Sequence, residues 1–334
     1  MFLVFAVLLA ALPAVAQEPA RIRVTTRMVE VSVVARDRQG RAVGGLTRED
    51  FRVYDGGQEE QIRGFHAPER PAGTGDDTPA GAVAILFDNL NNRSHGHTGY
   101  ARWSLAGFFR EMEPRQPIAL LSMDEEFHVL HGYSRDGASL AAALEAYHPK
   151  ASLFNAASAP RRVPGVRGRD PFSAVDGLAG RTYAEKRARM TSAGAAMLAR
   201  FLAEAPGRKS LVWFSSVFPA YLAAAVANDD VAIYPVDAST PIDGPSKAAR
   251  LLAERTGGAA FWNGNDLAGP LRQAYEDRAA AYLLGYYPSH SAWDRRFRPI
   301  RVTVSRPDVE LRHRAGYPAI PEPDAPGDAR RPAQ

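Results

Sequence analysis

The sequence of 334 residues contains no cysteine. Disulfide bonds, thiol catalysis and cysteine-ligated metal sites are therefore excluded, and so is an anchor attached through a lipid-modified cysteine. The stability of the protein must come from a buried core. A hydrophobic fraction of 46% is ample for such a core.

The chain also lacks a strong excess of charge of either sign. Its 41 Lys and Arg residues stand against 37 Asp and Glu residues, which leaves a formal net charge of +4 at pH 7. A nucleic-acid-binding protein usually concentrates positive charge more strongly than this. The composition indicates a globular protein and argues against nucleic acid as its partner.

Long apolar runs are absent except at the N-terminus. Residues 2–15 are almost entirely apolar, and small residues occupy positions 14 and 16. This pattern is typical of a signal peptide, and the run is shorter than a comfortable membrane span. We expect residues 1–16 to be cleaved, with an uncleaved membrane anchor as the alternative. The mature chain should have no transmembrane span and should be periplasmic or secreted.

The two outer parts of the chain show the alternation of β-strands. Residues 24–66 carry β-branched and apolar residues at alternating positions, and residues 281–318 contain further strands of this kind. We predict that these two parts pair in a small β domain. Residues 67–81 are predicted to be a linker, and residues 319–334 a disordered tail.

Residues 82–280 alternate between apolar strands and helices. Continuous apolar runs such as 82–87 are typical of strands buried on both faces, and strands separated by helices form parallel sheets. The predicted fold class is therefore α/β with a doubly wound, mainly parallel sheet. Such a sheet binds ligands at the carboxyl ends of its strands, so the loops after Phe87 and Phe214 are candidates for a site.

One helix of this region is long enough to predict which of its faces is buried. It is expected at about 183–204, with a stripe of apolar residues at helical spacing on one side. The predicted stripe consists of Met190, Ala193, Met197 and Phe201.

Several motifs follow one another in a fixed order along residues 25–318. They are GLTREDFRVYDG from Gly45, FDNLNN from Phe87, PGRKSLVWFS from Pro206, IYPVD from Ile233, TGG from Thr256 and YLLGYYP from Tyr282. In these motifs the chain resembles the von Willebrand factor type A-related proteins that are abundant in Acidobacteria. The resemblance implies a type A domain with strand order 3-2-1-4-5-6. It implies no particular biochemical activity.

Many type A domains hold a divalent cation through an Asp-x-Ser-x-Ser loop, a Thr and an Asp. Hard oxygen ligands of this kind suit Mg²⁺ and leave one position for a carboxylate of the partner. The resemblance places Asp88 at the first position, but it places Leu90 and Asn92 at the two Ser positions. Ser215-Ser216 stand where many relatives have an acid, and Ser158 is the candidate for the Thr.

The ligand set implied by the resemblance is therefore incomplete, because leucine cannot coordinate a metal ion. Asp88, Asn92 and Ser215, helped by Asp237, could bind Mg²⁺ or another divalent cation. The alternative is a metal-free polar cluster in which Asp88 anchors the loop or caps the following helix. In either case the candidate rim for partner recognition consists of Asp88, Asn89, Asn92, Ser215, Ser216 and Asp237.

A second hypothesis is an extracytoplasmic metal-dependent hydrolase. His95 and His97 follow Asp88 closely enough to share a metal ion with it, although exposed loop residues are the simpler interpretation. The sequence has no Gly-x-Ser-x-Gly motif and no Walker-type phosphate loop. The TGG motif is expected to end a helix. We therefore expect a binding protein that recognises a protein or cell-envelope partner, and not an enzyme.

Two other surfaces could take part in binding. The loop at 149–181 carries five arginines that could engage acidic protein or anionic polysaccharide, or could simply be solvated. Tyr282, Tyr286, Tyr287 and Trp293 could form an aromatic platform for sugars. Their alternation along strands favours a place in the core instead.

Overall fold

The computed structural model describes eleven parts of the chain. They are residues 27–68, 81–92, 95–111, 114, 116–148, 173–205, 207–218, 230–237, 244–262, 266–290 and 292–321, with the side chains of 95–97 and 173–180 left out. The predicted signal peptide and most of the predicted linker and of the Arg-rich loop lie outside the described residues.

Fourteen strands and five α-helices lie within the described residues. The strands are β1 (Val29–Asp37), β2 (Phe51–Asp55), β3 (Gln58–Glu60), β4 (Ile62–His66), β5 (Gly81–Asp88), β6 (Ile118–Met123), β7 (Phe127–Ser134), β8 (Arg208–Ser215), β9 (Val231–Asp237), β10 (Phe261–Trp262), β11 (Ala281–Tyr286), β12 (Phe297–Val304), β13 (Val309–Arg312) and β14 (Gly316–Pro318). The helices are α1 (His95–Glu111), α2 (Gly137–Ala146), α3 (Ser173–Ala203), α4 (Lys247–Thr256) and α5 (Gly269–Ala279).

Strands β5 to β10 form a six-stranded sheet, which we call the central sheet. Its spatial order is β10-β9-β8-β5-β6-β7. All neighbouring pairs are parallel except β6 and β7. Numbered from β5, this is the order 3-2-1-4-5-6, so the predicted fold class is confirmed.

The four inner strands of the central sheet, β5, β6, β8 and β9, are buried on both faces, which explains their continuous apolar runs. On one face, residues such as Ile85 and Phe214 pack against α1, α2 and α5. On the other face, residues such as Leu86 and Trp213 pack against α3 and α4. Helix α4 ends at Gly257, whose φ of 75° suits glycine, and this confirms that the TGG motif ends a helix.

The strands before and after the central sheet pair with each other in two antiparallel sheets, which we call the β region. One has the order β13-β1-β11-β4 and the other β14-β12-β2-β3. This confirms the predicted pairing of N-terminal with C-terminal strands. Tyr282 and Tyr286 are fully buried in the shared core and cannot form an exposed sugar platform.

Three details differ from the sequence-based expectations. Helix α1 begins at His95, so His95 and His97 lie in its first turn and not in a loop. Ala319 does not begin a disordered tail, because it is buried and its N–H donates to the carbonyl of Arg296 at 2.9 Å. In α3 the expected stripe is wrong, since Met197 is 52% exposed. The buried stripe consists of Thr191, Ala195, Leu198 and Leu202.

A buried ion cluster joins the β region to the central sheet. Asp277 of α5 has no solvent exposure. Its Oδ1 accepts hydrogen bonds from Nε and Nη2 of Arg36 in β1, at 3.1 and 2.7 Å. Its Oδ2 accepts from Arg312 of β13 and from the hydroxyl of Tyr234 in β9, the latter at 2.9 Å. Because a buried carboxylate must be paired, this cluster fixes the β region against α5 and β9.

Among the described residues, no helix combines the length and the apolar character that crossing a membrane requires.

Candidate functional site

The loops after β5 and β8 begin side by side at the carboxyl edge of the central sheet. The two strands pair in parallel with Phe87 opposite Phe214, and these two rings stack with centroids 5.5 Å apart. The next residues of the two strands, Asp88 and Ser215, therefore meet at this edge. Both are fully buried.

The carboxylate of Asp88 is surrounded by hydrogen-bond donors. Its Oδ1 accepts from the backbone N–H of Asn91 at 3.0 Å, and its Oδ2 accepts from Nε1 of Trp213 at 3.2 Å and Oγ of Ser215 at 3.1 Å. The side-chain amide of Asn91 lies 3.2 and 3.0 Å from the two carboxylate oxygens. Trp213 and Ser215 are two residues apart on β8, so both point to the face that Asp88 occupies.

Helix α3 packs on the same face of the central sheet and contacts the residues around Asp88. Oγ1 of Thr191 accepts from the side-chain amide of Asn91 at 3.2 Å and donates to the carbonyl of Arg187 at 2.8 Å. Thr191 is 1% exposed. We call Asp88, Asn91, Thr191, Trp213 and Ser215 the Asp88 cluster.

The other predicted rim residues lie at the same edge. Ser216 donates to Oδ1 of Asn92 at 2.6 Å, and the amide of Asn92 donates to Thr98 of α1 at 2.8 Å. The amide of Asn89 donates to the hydroxyl of Tyr147. Asp237 is opposite Ser215 in the sheet and accepts from the backbone N–H of Ser246, the N-cap of α4, at 2.9 Å. The structure therefore brings all six rim residues to one edge.

The donor set of the Asp88 cluster does not fit a divalent cation. Metal ions bind the lone pairs of oxygen ligands, whereas Trp213 and Asn91 direct N–H groups at the oxygens of Asp88. Leu90, at a Ser position of the implied motif, is fully buried and apolar. The cluster is a hydrogen-bonded anchor for loop 89–92.

The candidate residues of the hydrolase hypothesis are only partly described. Asp88 already accepts hydrogen bonds at both of its oxygens. The side chains of His95 and His97 lie outside the described residues. So does the whole of Ser158, the candidate for the Thr of the cation motif. Nothing in the described part of the chain adds support to the hydrolase hypothesis.

Three members of the Asp88 cluster are not predicted from the sequence. They are Asn91, Thr191 and Trp213. The alternation of side chains along β8 places Trp213 on the same face as Ser215, which is a usable signal. Thr191 belongs to the buried stripe of α3. It is not predicted from the sequence because a different set of residues is expected on the buried face of that helix.

Burial raises the pKa of Asp88 to about 6, and the hydrogen bonds from Asn91, Ser215 and Trp213 oppose part of this rise. The folded protein therefore keeps a proton on Asp88 at pH values where the unfolded chain has lost it.

We expect the free energy of unfolding to depend on pH through this group. Between about pH 4 and pH 6 the folded state binds more protons, so the stabilisation from protonated Asp88 is complete below about pH 4 and is lost as the pH rises through 6. A pKa raised from 3.8 to about 6 changes the free energy of unfolding by roughly 3 kcal/mol between these two pH values. Urea unfolding of the wild type and of Asp88→Asn at several pH values measures the effect. The wild type should lose stability relative to the variant as the pH rises, and parallel profiles would contradict the assignment.

Comparison with solved structures finds several proteins of similar structure. The chain aligns with an aerotolerance-related membrane protein from Bacteroides fragilis over 59% of its own length and 98% of that chain, with 11% identity and a TM-score of 0.36. It aligns with the vWF domain of the type V pili tip protein Mfa5 from Porphyromonas gingivalis over 42% and 38% of the two chains, with 17% identity and a TM-score of 0.25. It aligns with proximal thread matrix protein 1 of the mussel byssus, whose MIDAS motif is occupied by zinc, over 64% and 48%, with 9% identity and a TM-score of 0.34.

The aligned region spans less than half of the pilus and byssus chains. No protein-family model and no curated protein sequence matches the chain. The assignment of the fold rests on the strand order of the central sheet itself.

Proposed function

We propose that this protein is an exported binding module with a type A-like fold, and that it recognises a protein or cell-envelope partner at the carboxyl edge of the central sheet. The observation that supports this most directly is the Asp88 cluster, which ties loop 89–92 to β8 and α3. Doubly wound sheets bind their ligands at this edge.

The physical argument concerns the conformation of the loop. Burying polar groups costs free energy unless each finds its partner, so a satisfied buried cluster stabilises one arrangement against others. A loop that is already held in one arrangement loses less conformational entropy when a partner binds. The Asp88 cluster can therefore hold loop 89–92 in a single conformation before the partner binds, and this requires no ion.

The rim residues divide into two groups by exposure. Asp88, Asn92 and Ser215 are buried, so they hold the loops in place. Ser216 and the following Val217 are half-exposed and begin the loop after β8. We expect the direct contacts with the partner to come from this second group and from the surface around it.

Photo-crosslinking tests the position of this surface. A photoreactive amino acid at Val217 should give a discrete adduct with cell-envelope material from the source organism. The same group at Asp308, whose side chain is 73% exposed in the β region, should give none. Ser216→Ala removes the bond to Asn92 and should reduce the adduct at position 217 roughly two- to fivefold, because a hydrogen bond of this kind contributes about 1 kcal/mol.

Two results would contradict the proposed function. One is the same set of adducts from positions 217 and 308, which would indicate non-specific contact. The other is no adduct from position 217 in a preparation where the β region crosslinks efficiently, which would move the recognition surface away from the carboxyl edge.

A further inference from the structure

A cleft separates the β region from the amino ends of two central strands. Its walls are formed by residues 27–30, by residues 207–209 at the start of β8, by Asp230 before β9, and by Trp293 and Tyr317 with their neighbours. The volume is about 370 Å³, which is within the range of small-ligand sites. The cleft lies at the edge of the sheet opposite to the Asp88 cluster, so ligand binding there is independent of the proposed function.

Cations outnumber acids in the walls of this cleft. The cations are Arg27, Arg208, Lys209 and Arg314, and the acids are Glu30 and Asp230. Arg27 and Arg208 donate to the backbone carbonyls of Ile320 and Gly257, at 3.2 and 3.4 Å. Backbone carbonyls do not neutralise a positive charge, and neither arginine forms an ion pair within the described residues.

Lys209 is the least expected of these cations. It is 8% exposed, and its ammonium group has no hydrogen bond or ion pair in the part of the chain that the structure describes. The ammonium nitrogen is not among the buried atoms that lack a partner, so it reaches the solvent of the cleft although most of the side chain is buried. An anion in the cleft would neutralise the charge of the Lys209 ammonium group.

Aromatic rings orient two of the guanidinium groups. The guanidinium carbon of Arg27 is 5.2 Å from the ring centroid of Trp293, and that of Arg314 is 5.7 Å from the ring centroid of Tyr317. Stacking on an aromatic face holds the planar guanidinium in one orientation and reduces the entropy that it loses when it binds a ligand.

We propose that the cleft binds a phosphate-class oxyanion, either inorganic phosphate or the phosphate group of a small monoester. The cations approach from the segment before β1, from the start of β8 and from the segment after β13. A tetrahedral phosphate with two negative charges accepts hydrogen bonds from several directions. A planar carboxylate is satisfied by the fork of a single guanidinium, so the arrangement favours phosphate.

Isothermal titration calorimetry of the full chain tests this proposal, with inorganic phosphate and glycerol 3-phosphate as probes and sodium chloride at equal ionic strength as the reference. We expect saturable binding of at least one probe with a Kd below about 1 mM. Lys209→Gln should weaken this binding at least tenfold. Because a change at a buried position can impair folding, the exposed Arg27→Gln provides a second variant and should weaken binding severalfold.

Arg301→Gln is the matched control. Arg301 also stacks on an aromatic ring, at 4.0 Å from the centroid of Tyr54, but it lies outside the cleft. The Arg301→Gln variant should bind phosphate with the same affinity as the wild type. Tighter binding of glycerol 3-phosphate than of inorganic phosphate would identify a monoester ligand, and the reverse order would identify the free ion. Failure of both probes to bind saturably would overturn the proposal, as would equal affinities in the Arg27, Lys209 and Arg301 variants.

Discussion

Replacing Asp277 by alanine should lower the free energy of unfolding by about 3–5 kcal/mol, as expected when one partner of a buried ion cluster is removed. The substitution leaves Arg36 and Arg312 without their carboxylate and the hydroxyl of Tyr234 without its acceptor. Because the arginines belong to the β region and Tyr234 to the central sheet, the two parts should also unfold less cooperatively. Calorimetry should then show one thermal transition in the wild type and two in the variant.

The neighbouring residue provides a control for this experiment. Glu276 is on the same helix and its carboxylate is 3.5 Å from Nη2 of Arg36, but its side chain is 63% exposed. Glu276→Ala should cost no more than about 1 kcal/mol, since exposed ion pairs contribute little. If Asp277→Ala and Glu276→Ala lowered the free energy of unfolding equally, burial of the carboxylate would not determine how much it stabilises the protein.

Much of the fold could be predicted from the sequence because the four inner strands of the central sheet carry apolar runs and because helical sequence separates most central strands from the next. The exception is β7, which pairs antiparallel with β6. Only residues 124–126 connect these two strands, and a parallel crossover needs a dozen residues or more. The short connection between β6 and β7 is therefore a sequence signal that the two strands are antiparallel. The order of the strands in the sheet was predicted from the family resemblance instead.

The candidate site was harder to predict, because its members are distant in sequence. Asp88 could be found, since it directly follows the apolar run at residues 82–87 and ends β5. Its partners Trp213 and Thr191 come from β8 and α3, and they reach Asp88 only because the strands pair in one register and the helix presents one face. Register and helix rotation depend on packing between elements, which the local pattern of one motif does not encode.

Replacing Asp88 by alanine should lower the free energy of unfolding at pH 7 by about 2–4 kcal/mol and the Tm by about 5–12 °C. The loss arises because the indole N–H of Trp213 and the N–H groups of Asn91 lose their acceptor on Asp88, whereas Ser215 can still donate to the carbonyl of Val217. Asp88→Asn keeps the shape and one oxygen and removes the buried charge, so it should cost less than half as much. Asp308→Ala, at an exposed acid, should leave the Tm unchanged. Thermal and urea unfolding measure all three variants.

The same variants distinguish the hydrogen-bonded anchor from a cation site. A ligand that binds only the folded state raises the Tm, by an amount that grows with the ratio of its concentration to its Kd. If the donors around Asp88 take the place of a cation, neither excess Mg²⁺ nor EDTA should shift the Tm of the wild type by more than about 1 °C. A cation site would give the wild type a clear rise with Mg²⁺ that Asp88→Ala lacks. In that case the N–H groups of Trp213 and Asn91 would have to turn away from the carboxylate. The bound cation would then contact the partner directly at this edge.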